Sequence, residues 1–120
     1  MMPPNLPDKP TLLWDGECRF CAHWIRRWEK LVGNAVVYRQ FKEALPEFPQ
    51  VREEDCVKAV QLILSDGRVL SAAHAVLTSL ALGGRGKRIL KLYEKSVAFR
   101  RCTEAAYRFV AANRSRLPRL

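Results

Sequence analysis

Residues Thr11 to Cys21 read TLLWDGECRFC, and this stretch decides how the chain folds. The run Thr11-Leu12-Leu13-Trp14 is short, apolar and closed by Asp15-Gly16, the composition of a buried strand that ends in a turn. From Cys18 onward the apolar residues Phe20, Cys21, Trp24, Ile25, Trp28, Leu31 and Val32 recur at helical spacing. Arg19, His23, Arg26, Arg27 and Lys30 fall between them, and Gly33-Asn34 supplies a stop. Ala35 to Phe41 (AVVYRQF) then reads as a second strand, so residues 11–41 have the length that a right-handed parallel crossover requires. Cys18 and Cys21 open the helix of this unit.

Beyond it, Lys42 to Lys58 carries Pro46, Pro49 and a polar REED cluster, which predicts a short helix or an irregular link. Ala59 to Leu64 and Arg68 to Leu70 flank Ser65-Asp66-Gly67, and an Asp-Gly pair between apolar runs predicts a tight hairpin with positive φ at both central residues. Ser71 is placed to cap a helix that runs to Gly83-Gly84, and two further helical patterns follow, over about Lys87 to Phe99 and Thr103 to Asn113. Strand, helix, strand, link, hairpin, helix is the order of the thioredoxin fold. The expectation is an α/β domain with a β-α-β unit, a β-hairpin and helix, and a basic helical extension. Its parts are a Pro-rich leader over 1–10, a core over 11–84 and the extension over 85–120, packed as one domain.

Cysteines at i and i+3 of a helix start lie on one face, about one turn apart, close enough to close a disulfide. The unpaired amides and positive partial charge of a helix N-terminus favour negative charge on the first sulfur. Cys18 is therefore the expected attacking thiolate, and Cys21, on the side of Phe20 and Trp24, the more buried resolving thiol. Asp15 either builds the turn or exchanges a proton with Cys21. Trp14 and Trp24 are expected to pack in the core. No cofactor beyond a Cys18–Cys21 disulfide is called for.

A metal site would need two more ligands from Cys56, Cys102, His23 and His74, none of which forms a second closely spaced pair, so a zinc-binding protein is the weaker reading. Cys56 is expected to be half-exposed and Cys102 packed, both as free thiols. His23 is expected on the polar side of the first helix, and His74 is expected to pack or cap at the start of the helix after the hairpin.

The charge is unevenly placed. Residues 1–84 hold ten Lys/Arg and ten Asp/Glu, whereas Arg85 to Leu120 hold eleven Lys/Arg against Glu94 and Glu104, which accounts for the whole net charge of +9. Such a tail is either the solvated face of amphipathic helices or a surface for an anionic partner. The second possibility gives a rival from another class, a binding or adaptor module with a vestigial cysteine pair. Nothing in the pattern points to nucleic acid. At 48% hydrophobic residues, with no secretory apolar run and no membrane-spanning stretch, the chain reads as a soluble cytoplasmic protein. In that reducing compartment a Cys pair is catalytic or metal-binding more often than structural, and the reductase direction is favoured.

The blocks WDGECRFC, SDGRVLSAAHAV and AYRFVAANRSRLPRL, in this order, resemble the DCC-type thiol-disulfide oxidoreductase family over about Thr11 to Leu117. The resemblance implies a thioredoxin-like fold and thiol-disulfide exchange with protein or small-molecule substrates. It also implies Cys18 and Cys21 as the redox pair, with Asp15 beside them. The chain departs from thioredoxin itself in that Cys56-Val57-Lys58-Ala59, ahead of the hairpin, holds no proline.

Overall fold

The computed structural model describes residues 5–113. The first four residues of the leader, and Arg114, Arg116 and Arg119 of the basic tail, lie outside the described residues. The expected first strand is β1, Thr11–Trp14, and it lies inside a four-stranded sheet of order β2-β1-β3-β4. Helix α1, Arg19–Val32, crosses over to β2, Val37–Gln40, which runs parallel to β1 with Thr11 opposite Val37 and Trp14 opposite Gln40. The chain returns antiparallel in β3, Gln61–Ile63, with Leu12 opposite Leu62, and then turns into β4, Val69–Ser71. This mixed sheet and its covering helices are consistent with a thioredoxin-like α/β fold.

Side chains alternate across a strand, so β1 feeds two cores. Leu12 and Leu62 face Ile25 and Val32 of α1, Val36, and Ala75 of helix α4, Ala72–Leu82. Leu13 and Ile63 point the other way, onto Phe41, Ala44, Phe48, Val51 and Cys56. That second layer is the link, which contains helix α2, Phe41–Ala44, a 3-10 turn over Leu45–Glu47, and helix α3, Glu53–Lys58. The apolar demand of the second face explains why β2 is shorter than the sequence predicts. Phe41 is needed there, so the chain leaves the strand at Gln40. At the other end Gly33–Ala35 forms a 3-10 turn.

Three further boundaries differ from expectation. The hairpin turn is a three-residue loop in which the Gly67 amide bonds to the Leu64 carbonyl at 2.8 Å, and only Gly67, not Asp66, has positive φ. A type I turn closed by a left-handed glycine needs no left-handed aspartate. Ser71 occupies the N-cap position of α4, but its hydroxyl donates to Gln61 Oε1 at 2.6 Å, and the Ala73 amide is met instead by Glu104 Oε1 at 3.0 Å. The last two helices are α5, Lys87–Lys95, and α6, Val97–Ala112, and the break falls at Ser96 because its hydroxyl accepts the Phe99 amide at 3.2 Å. Gly83, at the end of α4, has no room for a Cβ against the Val32 backbone, which lets α4 approach α1 closely.

Candidate functional site

The turn between β1 and α1 is built by Asp15. Its carbonyl accepts the Cys18 amide at 3.2 Å and its carboxylate accepts the Glu17 amide at 3.0 Å, an Asx turn that aims the chain into the helix. At Gly16 a Cβ would overlap the Gln40 side chain, so the turn sits tightly against β2. Lys42 of α2 reaches across to Glu17 at 2.5 Å on the exposed side.

Cys18 is the N-cap of α1, with an extended backbone, and its sulfur accepts the Cys21 amide at 3.2 Å. A sulfur in this position takes the place of the usual Ser or Asp oxygen at the first turn of the helix. Both cysteines are half-buried. The other two reverse the expectation. Cys56 is buried in the second core, where burial pushes its thiol up to about 11 and Asp55 and Glu53 add to the effect. Cys102 is exposed on α6. Cys56 is drawn inward because it joins Phe41, Ala44, Phe48 and Val51 in covering Leu13 and Ile63.

His23 stands edge-on to Trp24 with ring centres 5.9 Å apart, and His74 lies against Tyr93 at 4.9 Å. Among the described residues no group of three or more His, Cys, Asp and Glu side chains comes together as a metal site.

A model of the DCC1-like thiol-disulfide oxidoreductases matches residues 12–120. The chain belongs to the DCC1-like thiol-disulfide oxidoreductase family. No curated protein and no solved structure matches it. Membership makes the protein a thiol-disulfide oxidoreductase, an enzyme whose substrates are thiols and disulfides, and Cys18 and Cys21 form a Cys-x-x-Cys pair of the kind such chemistry needs. Among the described residues no helix is long and apolar enough to cross a membrane.

Two features of this family member were not foreseen from sequence. Trp24 does not pack in the core. With Phe20 and Trp28, four residues before and after it, it forms an aromatic row along α1, with ring centres 6.2 and 6.4 Å apart, that walls a cleft of about 620 Å3. Cys21 lines the same cleft, and α6 forms its opposite wall. The second feature is at the residue just before β3. No peptide bond is cis among the described residues, and the Val60 amide donates to the Tyr107 hydroxyl at 3.0 Å while its carbonyl accepts the Ala72 amide at 3.0 Å. The signal for both was present in α6, where Thr103, Ala106, Tyr107, Val110 and Ala111 recur at helical spacing and define one inward stripe.

Proposed function

We propose that this oxidoreductase acts as a disulfide reductase through Cys18 and Cys21, with Asp15 as the third site residue. The observation that carries the reading is the position of Cys18 at the helix N-cap with its sulfur accepting the Cys21 amide. A thiolate held there attacks a substrate disulfide and expels one thiolate, leaving a mixed disulfide on Cys18. Cys21 then attacks the Cys18 sulfur, expels the second substrate thiolate and closes the Cys18–Cys21 disulfide. Two electrons pass from the protein dithiol to the substrate, and an external dithiol restores the pair. Asp15 holds the turn and receives the Cys21 proton.

The reductase direction follows from the expected compartment alone, since a reducing cytoplasm keeps dithiols reduced. A redox titration of the pair in a glutathione or dithiothreitol buffer tests it. The reductase reading expects a potential toward the thioredoxin end of the known range, about −270 mV, and a value near −120 mV would make the protein an oxidant.

A further inference from the structure

We infer that the cleft between α1 and α6 is the substrate pocket of the redox pair, and that it takes a low-molecular-mass disulfide with an uncharged, apolar body. The assignment rests on the reading of Cys18 and Cys21 as the exchanging thiols. Three observations carry it.

The first is the lining. The aromatic row of α1 faces Ala106 and Val110 of α6, Val76 and Leu77 of α4 lie between them, and no Asp, Glu, Lys, Arg or His lines the cleft among the described residues. The polar side-chain groups of its lining residues are the hydroxyls of Thr103 and Tyr107, the sulfur of Cys21 and the indole N–H groups of Trp24 and Trp28. A ligand carrying carboxylates or an ammonium group, as oxidised glutathione does, would lose hydration there without gaining a partner charge.

The second is size. A volume of about 620 Å3 lies within the range of roughly 300–1,000 Å3 over which clefts enclose small molecules.

The third is what the site denies a polypeptide. A peptide substrate is commonly held by pairing its backbone with a free strand end. Both backbone groups of Val60, beside the cleft, are already bonded within the protein, to Tyr107 and Ala72. Recognition therefore falls to the apolar walls. The body of the disulfide lies in the cleft against Cys21, and one of its sulfurs meets Cys18. Attack by Cys18 breaks the substrate S–S bond and releases one thiolate, and attack by Cys21 on the Cys18 sulfur releases the other as the protein disulfide forms.

Single-turnover kinetics of the reduced protein test this with 4,4′-dithiodipyridine, which is uncharged and aromatic, oxidised glutathione, and insulin. Each rate constant is divided by that of 2-mercaptoethanol with the same disulfide to remove intrinsic reactivity. The uncharged probe N-phenyl-1-naphthylamine reports cleft binding by fluorescence independently of exchange. The normalised constant for dithiodipyridine is expected to exceed that for glutathione disulfide by at least about tenfold, the usual effect of a fitted apolar pocket. Val110→Glu, at a partly exposed position, and the cleft-filling Ala106→Trp should each remove this preference and the probe signal. Ile89→Glu, on the exposed surface of α5, should keep both. Equal normalised constants, a preference for insulin, or a preference that survives both cleft variants overturns the inference and leaves the redox reading standing. Probe binding without exchange on any of the three disulfides overturns the redox reading, and the substrate assignment with it.

Discussion

The amide of Cys21 donates to the sulfur of Cys18 at 3.2 Å, so the residue assigned to resolve the mixed disulfide also helps to hold the attacking sulfur. The bond uses backbone, and it survives side-chain replacement at Cys21. Cys21→Ser is therefore expected to attack substrate at close to the normal rate and to accumulate as a mixed disulfide, because only the second step needs the Cys21 sulfur. Cys18→Ser should trap nothing. Mass spectrometry of the protein after mixing with a disulfide distinguishes the two, and a trapped adduct on Cys21 in the Cys18→Ser protein would invert the roles.

The C-terminal helices are locked to the core by Glu104. One carboxylate oxygen accepts the Ala73 amide at 3.0 Å, and the other accepts the Tyr93 hydroxyl at 2.6 Å, joining α4, α5 and α6 at one point. Tyr93 is buried, His74 lies on its ring, and Arg100 lies over the ring and bonds its carbonyl at 3.2 Å. Glu104→Ala leaves a helix-end amide and a buried hydroxyl unpaired, and it should lower unfolding stability by about 2–6 kcal/mol in urea titration, from two stranded donors of about 1–3 kcal/mol each. Tyr93→Phe should cost less, since the carboxylate keeps the amide. Equal losses would mean that the Tyr93–Glu104 bond, not the carboxylate's hold on the Ala73 amide, ties the helices together.

The strands, the crossover helix and the hairpin were legible because each has a local signature: an apolar run, a 3.6-residue period, an Asp-Gly turn. The link was legible only as a link, since Phe41, Phe48, Val51 and Cys56 serve a sheet face that no local pattern announces. The cysteine pair could be read from its helix start. The cleft could not, because it exists only where the stripe on α6 meets the aromatic row on α1, about eighty residues away in sequence. None of the exposed cations Arg85, Lys87, Arg88 and Lys91 lines that cleft, whereas α6 of the same extension forms one of its walls.

Alkaline pH should unfold the protein in a defined window. Burial raises Cys56 from its ordinary value near 9 to about 11, Tyr38 to about 12, and Tyr93 to about 12, with the hydrogen bond to Glu104 as the second cause at Tyr93. A group whose folded value is raised contributes stability that is complete below its unfolded value and lost as pH climbs through the folded one. The melting temperature should therefore hold up to about pH 9 and fall steadily toward pH 12. The Tyr38 hydroxyl is buried with no hydrogen-bond partner among the described residues, so Tyr38→Phe should be neutral or gain about 1 kcal/mol and make the alkaline decline shallower. An unchanged decline in both Tyr38→Phe and Cys56→Ala would refer the loss to Tyr93 alone.

Asp15 can be tested so that its two roles come apart. Its carboxylate accepts the Glu17 amide at 3.0 Å, and an asparagine oxygen can do the same, so Asp15→Asn should preserve the turn, the helix start and the circular dichroism spectrum. Asparagine cannot take a proton. If the carboxylate receives the Cys21 proton, the first exchange step should be unaffected while resolution of the mixed disulfide slows by about 100-fold near neutral pH, the lower end of the range for a positioned general base. Rapid acid quenching separates the two steps. The deficit should shrink as pH rises past the ordinary thiol range of about 8.5, because hydroxide and solvent then deprotonate the resolving thiol without help. A deficit equal at all pH values, or one that appears in the first step, would show that Asp15 acts only through the turn, and Asp15→Ala should then be worse than Asp15→Asn at every pH.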